Sequence, residues 1–320
     1  MKKVFGILGL LVLVCVITAI ASEYFLVGRN IENVVRRTAL FGIISIGAAF
    51  VITTSCIDLS IGSVICLTGC LLPWLLTEQS MSPWLALPLL VILSVAIGLM
   101  HGLLITKLKL QPFVVTLCGL LLYRGVTRGV VADTSQGFGS LFEGLKWWGG
   151  GSVSLPGTDF GIPTPCILLV VVAALAAVFL HLTVWGRYLK ALGRNEEAAR
   201  YSGIDTDKMV ILAYVVCALL SGLGGMLFVL DVGSAQPVDF GSFYELYAIA
   251  AAVLGGCSLR GGEVSVLGVL IGAALMQVLQ NAINLIDAIP KSIEFAVIGV
   301  VILAGVSADE LVRRAVAARR

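Results

Sequence analysis

Charge is scarce in this 320-residue chain: Asp, Glu, Lys and Arg make up 12% of it, about half the share found in an ordinary soluble domain. Apolar residues supply 59% and the mean hydropathy is +1.05, which excludes such a domain. Despite a net charge of +2, no basic cluster carries interleaved aromatics, so nucleic acid is excluded as a partner. The dipeptide Gly-Lys is absent, and with it any G-x-x-x-x-G-K-[ST] loop. The glycine-rich LGGCSLRGG, Leu254 to Gly262, therefore lacks the lysine that would hold nucleotide phosphates. It reads instead as a tight break between apolar runs, with glycines allowing unusual backbone angles. Histidine is confined to His101 and His181, too few and too separate for a catalytic metal centre. None of the eight cysteines forms a CxxC pair. Cys66 and Cys70 share a helix face, but two thiols do not make a metal site, and the cysteines read as small core hydrophobes.

What the chain has in abundance is long apolar runs, of the length that spans a bilayer core of roughly 30 Å as a helix. They do not alternate polar with apolar residues, which excludes a barrel and leaves the helix as the only spanning form. The runs cover 4–22, 38–55, 60–77, 84–106, 112–132, 163–183, 209–230, 245–259, 264–286 and 292–307. The expected fold is all-α: one polytopic integral membrane bundle over 1–320, with about ten spans (eight to ten). The second and third runs are short enough to be a broken pair of half-helices around SCIDLS, and the eighth is also short. The first run has a basic start and an A-x-A at Ala19–Ala21, as a cleavable signal would, but its length favours an uncleaved span.

Lys and Arg fix the orientation. With the N-terminus inside, the cytoplasmic side holds Lys2, Lys3, Lys107, Lys109, five residues of 186–208, Arg260, Arg313, Arg314, Arg319 and Arg320, fourteen in all, against five outside. The positive-inside rule therefore places both termini in the cytoplasm. The longest outer connection, 133–162, reads as an irregular Gly- and Ser-containing loop with Trp147 and Trp148 at headgroup level.

Nine of the 23 residues from Gly186 to Lys208 are charged, the densest concentration in the chain. Tyr188 to Leu192 reads as helix stopping at Gly193. Asn195 suits an N-cap, with Glu196 and Glu197 in the first turn where the helix dipole favours carboxylates. Glu196 and Arg200 pair at i, i+4, and Gly203 fits a left-handed terminator. Charge alone makes this a solvated loop. In the ninth run, Gln277, Gln280, Asn281 and Asn284 follow i, i+3, i+4, i+7, one polar helix face that either lines a cavity or hydrogen-bonds to another helix. Arg124 and Arg128 share a face in the fifth run, where they snorkel, pair with Asp133 or Glu245, or line an outer vestibule. Asp58 reads as a structural cap for a helix beginning near Leu59. The small-xxx-small pairs Gly98/Gly102, Gly125/Gly129 and Gly268/Gly272 permit close helix approach, within the subunit or at a dimer seam.

WGRYLKALGRNEEAARYSGI (185–204) resembles the cytoplasmic coupling segment of ABC-importer permeases, specifically the ribose/monosaccharide permease family. IDLSIGSVICLTG (57–69), LYRGVT (122–127), FGIPTP (160–165), SAQP (234–237) and ELYAIAAAVLGGCSLRGGEVSVLGVLIGA (245–273) also fit that family, in order along nearly the whole chain. The chain departs from its pattern at Cys56, Arg194, Tyr247 and Arg260, in place of a glycine, a glycine, an aspartate and a small residue. The resemblance implies a permease subunit, without enzyme activity of its own, in a bacterial inner membrane. It further implies ATPase subunits gripping 186–208, a periplasmic sugar-binding protein on the outer face, a second permease copy, identical or not, and a ribose-like sugar as solute. No cofactor is expected on this chain; ATP and magnesium belong to the partner ATPase. Related permeases carry branched-chain amino acids or nucleosides on the same architecture. An ion-coupled secondary transporter is the rival from another class, but it calls for an intramembrane carboxylate relay, whereas Asp231, Glu245, Asp287 and Glu294 gather at outer ends of the runs.

The charge bias makes a topology test direct. In a cysteine-free background, a cysteine at Gly150 should react with an impermeant thiol reagent added outside, and one at Ala198 should not. Reversed labelling refutes the orientation.

Overall fold

Proline and glycine punctuate the apolar runs and decide where the helices start and stop. The computed structural model describes residues 2–154 and 161–286, together with 290, 293, 295–300, 303–304 and 307. Among these, seven helices are long and apolar enough to cross a bilayer: α1 (Lys2–Ala21), α2 (Gly28–Thr53), α4 (Pro83–Lys107), α5 (Pro112–Val130), α7 (Thr164–Ala177, continued by a π-helical turn to Leu182), α10 (Thr206–Val232) and α12 (Val266–Leu285). Two shorter apolar helices complete the set, α3 (Ile61–Thr77) and α11 (Tyr244–Leu254). Pro83, Pro112 and Pro165 lie in the first turns of α4, α5 and α7, where the missing N–H costs nothing. Gly233, at φ +84°, terminates α10 in the left-handed conformation that glycine adopts freely.

These nine helices correspond to the first nine apolar runs; of the tenth, 292–307, the described residues 295–300 and 303–304 are helical. α2 begins ten residues earlier than the expected boundary at 38. Its first turns are polar on one face, which lowers hydropathy without interrupting the helix, and Glu32 pairs with Arg36 one turn on at 2.7 Å. At 26 residues it is about 39 Å long, so SCIDLS does not separate two half-helices; it follows one full span and precedes a shorter one. α2 is buried continuously from Ala39 to Thr53. Around it pack α10, α12, α11 and α7, while α10 also packs against α4 and α3. α1 and α7 turn apolar side chains outward, among them Val12, Ile17, Val170 and Leu175, as lipid-facing helices do.

Two irregular stretches, 54–60 and 233–243, account for the shortness of α3 and α11. Parts of their backbone find side-chain partners on neighbouring helices, as non-helical backbone at membrane depth requires. Tyr214 of α10 donates to the carbonyl of Ile57 at 2.9 Å. The Arg124 guanidinium donates to the carbonyls of Pro237, Val238 and Phe240 at 3.0–3.3 Å. The outer connection is more ordered than expected. It holds α6 (Glu143–Gly150), a ladder of β1 (Gln136–Gly137) with β4 (Ser234–Ala235), and one of β2 (Ser152–Ser154) with β3 (Gly161–Pro163). α6 can pack closely on α10 because Gly149 has no side chain: a Cβ there would lie 2.6 Å from Leu227 and Asp231 backbone atoms. Trp147 and Trp148 of α6 meet edge to face at 5.5 Å.

Two of the three small-residue pairs are internal seams. Gly98 and Gly102 of α4 face the backbone of α10, and Gly268 and Gly272 of α12 face Gly255 and Ala251. Gly125 and Gly129 of α5 meet no described atom within 4 Å of a built Cβ. At Gly98 a Cβ would lie 2.5 Å from the Tyr214 carbonyl oxygen and 2.6 Å from the Val215 Cα. Gly98→Ala should therefore destabilise the detergent-solubilised protein by roughly 1–3 kcal/mol, the usual cost of overpacking. Gly125→Ala should leave its melting temperature unchanged or raised. Equal melting temperatures for Gly98→Ala and the parent would refute the seam.

Candidate functional site

The outer ends of α2, α10 and α12 enclose a cavity of about 520 Å³. All four amides of the polar stripe line it: Gln277, Gln280, Asn281 and Asn284 of α12. Gln277 is buried and Asn284 exposed, so the stripe runs from floor to mouth. The facing wall, α2, adds Asn30, Asn33, Arg36 and Arg37, and α10 adds Asp231. The four α2 residues escaped sequence reading as lining residues because the hydropathy boundary was set at 38. Their signal was available in the helical spacing of Asn30, Asn33 and Arg37.

Inside the cavity the polar groups fall into two classes. Asn30 and Asn281 exchange amide hydrogen bonds across α2 and α12 at 3.1 and 2.8 Å, so Asn281 bridges helices as well as lining the wall. Arg36 binds Glu32 at 2.7 Å and lies 3.7 Å from Asp231. By contrast, the side-chain nitrogen of Gln277 and Nε of Arg36 have no partner among the described residues. A buried polar group is normally paired, and an unpaired donor costs about 1–3 kcal/mol. Both atoms are buried behind the cavity surface, while the amides and charged groups that line it supply donors and acceptors that neutral hydroxyl groups can pair with.

Arg124 and Arg128 do not join this cavity. Arg124 holds the 237–240 carbonyls, and Arg128 forms a two-bond pair with Asp133 at 2.9 and 2.5 Å. That pairing holds the Asp133 carboxyl below the usual carboxylate range. Asp58 is buried and accepts from the backbone N–H and hydroxyl of Ser60 at 2.8 and 2.6 Å. The following helix starts at Ile61, so Asp58 braces the turn before the helix and does not cap it at Leu59. His101, which reads in the sequence as an isolated residue, is buried with Nε2 2.7 Å from the Tyr123 hydroxyl. Asp287 and Glu294 lie outside the described residues.

The cytoplasmic end carries the charged segment. α8 (Val184–Arg194) runs one residue past Gly193, which is therefore a packing position and not the stop. Asn195 ends α8 and caps α9 (Glu196–Tyr201), accepting from the Ala198 N–H at 2.9 Å. Glu196 pairs with Arg200 at 2.9 Å, and Gly203 follows the helix at φ +82°. Tyr201 projects from its end, 92% exposed. Asp207, at the start of α10, gathers Lys107, Lys109 and Arg200 at 2.7, 3.5 and 3.9 Å, tying α9 to the turn between α4 and α5. Its hydrogen bond raises the pKa of Lys107. Asp205 caps α10 and bonds Lys208, which holds its carboxyl low. Among the described residues no three His, Cys, Asp or Glu side chains gather as a metal site.

The chain is similar to several described permeases. A family model described as "Branched-chain amino acid transport system / permease component" matches residues 30–306. The ribose import permease protein RbsC of Escherichia coli K12 is 37% identical over 306 residues, 95% of this chain and 92% of its own length. RbsC of Bacillus subtilis 168 is 38% identical, covering 97% and 93%. The D-allose transport system permease protein AlsC of Escherichia coli K12 is 29% identical, covering 95% and 90%. No solved structure matches.

Proposed function

Since this chain belongs to the permease-component family of branched-chain amino acid transport systems, we propose that it is the membrane-spanning subunit of an ATP-driven importer for a neutral, ribose-like sugar. The observation that supports the solute class is the cavity lined by the four amides of α12 and by Asn30 and Asn33 of α2. Sugar hydroxyls donate and accept, so one solute can pair with both the amide N–H groups and the amide oxygens of such a lining. The relatives named for ribose and D-allose import support the same class. In this reading a periplasmic binding protein delivers sugar to the outer mouth, in a bacterial inner membrane. A second permease copy completes the pathway, and partner ATPases hold ATP and magnesium on the cytoplasmic side. The chain itself performs no covalent chemistry. Its task is that of a two-state gate whose balance the partners shift.

The family description favours a second reading, a branched-chain amino acid. Arg36 and Asp231 offer charges of both signs for its ammonium and carboxylate. Among the described residues, however, the only apolar lining residues are Val34 and Val232, a thin wall for a branched aliphatic side chain. Competition settles the choice: unlabelled ribose should inhibit uptake of labelled ribose into proteoliposomes carrying the assembled importer, and leucine should not.

Gln277→Leu should lower sugar uptake about tenfold, the effect of replacing a hydrogen-bonding side chain worth roughly 1–1.5 kcal/mol, while the ATPase still co-purifies. Unchanged uptake by a correctly inserted variant would remove Gln277 from the pathway.

The coupling role of Gly193, Asn195, Glu196, Glu197, Arg200 and Gly203 has its own test. Glu197→Lys places a cation in the first turn of α9, unfavourable by roughly 0.3–1 kcal/mol, and inverts the charge offered to the ATPase. Arg200→Glu breaks the Glu196 pair and the Asp207 network. Both should insert normally but lose ATPase co-purification or hydrolysis stimulated by the loaded binding protein. Wild-type docking, stimulation and uptake in both would reduce the segment to a solvated loop.

A further inference from the structure

Three cytoplasmic breaks meet at one point: the end of α2, the end of α8 and the glycine loop 255–262 that leads into α12. Ser55, at φ +64° just beyond α2, places its hydroxyl 3.0 Å from the Gly193 carbonyl oxygen and 2.8 Å from that of Arg260. The Gly262 N–H donates to the Thr53 carbonyl at 3.0 Å. Gly193 sits against both of those backbone atoms, with no room for a side chain. Gly261 and Gly262, at φ +80° and +75°, close the loop around the contact.

We propose that Ser55 is a positioning residue that passes movement of the α8–α9 segment to both walls of the outer cavity. A serine hydroxyl carries one proton, yet here it faces two carbonyl oxygens on separate elements. It can donate fully to only one, so the contact has two arrangements, one favouring α8 and one favouring the glycine loop. Below Ser55 the packing is backbone on backbone and has little slack. α2 leads from this joint, as one rod, to Asn30 and Arg36 on one cavity wall. The glycine loop leads into α12 and so to Gln277 and Asn281 on the other. Tilting the end of α8 against Thr53 and Gly262 therefore bears on both walls where they converge. The proposal rests on reading 193–205 as the ATPase-coupling segment.

The test uses the assembled importer with its ATPase and binding protein, in a cysteine-free background. Cysteines replacing Asn30 and Asn281 report the cavity walls by cross-linking yield. With Ser55 intact, that yield should differ between the nucleotide-free and ATP-trapped complexes. Ser55→Ala removes the hydroxyl alone, and Ser55→Gly removes it while relieving the left-handed backbone. Both should keep ATPase co-purification, and both should shrink the nucleotide-dependent difference by about threefold, the factor contributed by a net hydrogen bond at the weak end of the range. Sugar transported per ATP should fall with it. A Ser55→Ala or Ser55→Gly complex that responds like the parent overturns the role of the hydroxyl while leaving the coupling reading intact. If Glu197→Lys and Arg200→Glu leave docking and stimulation normal, the coupling reading fails and this proposal fails with it.

Discussion

Whatever leaves a helix inside a membrane protein must bring partners for its backbone, because lipid offers none. Most of the unusual residues of this chain are there to meet that constraint. Arg124 spends its charge on three carbonyls of the 237–240 stretch. Tyr214 reaches the Ile57 carbonyl, Asp58 braces the turn into α3, and Gly262 serves the last turn of α2. An arginine in an apolar helix is commonly read as a functional signal. Here the geometry gives Arg124 a structural occupation, and the same holds for Asp58. Function is better sought where polar groups gather without bracing a backbone, as the amides of α12 do on the outer cavity.

The breaks also determine how the two ends of the molecule communicate. α2 is uninterrupted and deeply buried from Ala39 onward, so displacement at one end is not absorbed by bending in the middle. α10 is equally long and, through Asp207, fastened to the α4–α5 turn and to α9. Surface ion pairs of this kind contribute little to stability individually. Their value lies in geometry, since one carboxylate links the start of α10 to the α4–α5 turn through Lys107 and Lys109 and to α9 through Arg200. Under the proposed function, a partner pressing on α9 therefore pushes on a braced helix and not on a loop.

Much of this was legible from the chain before any coordinates. The first nine runs are helices because length and hydropathy are properties of the run itself. The cap at Asn195, the Glu196–Arg200 pair and the left-handed Gly203 are local chemistry, settled within a few residues. The amide stripe of α12 was legible because its spacing is helical. What the chain concealed is non-local or lies below the hydropathy threshold. The opposite wall, Asn30 to Arg37, belongs to polar turns that a hydropathy boundary discards. The choice of Asn30 as partner for Asn281, 251 positions away, and of Ser55 for Gly193, 138 positions away, depends on how the helices pack. α6 was hidden because its eight residues include three glycines, and Gly149 is there for contact with α10, which no local pattern discloses.

The positions at which this chain departs from the monosaccharide-permease pattern take on a different meaning once they are located. Arg260 supplies a carbonyl that Ser55 faces, the Arg194 side chain covers Gly262, and Cys56 follows Ser55 directly. All three sit at the cytoplasmic joint, at the opposite end of α2 from the cavity. The fourth, Tyr247, packs against Phe41 with ring centroids 6.0 Å apart and does not line the cavity either. Substitutions that retuned the solute would be expected among the amides and charges of the outer wall. Two added guanidinium groups beside the end of α8 instead alter the surface presented to a cytoplasmic partner, adding positive charge where α9 offers Glu196 and Glu197. Under the proposed function, the departures therefore bear on the fit to an ATPase, and none of the four lies among the residues that line the cavity.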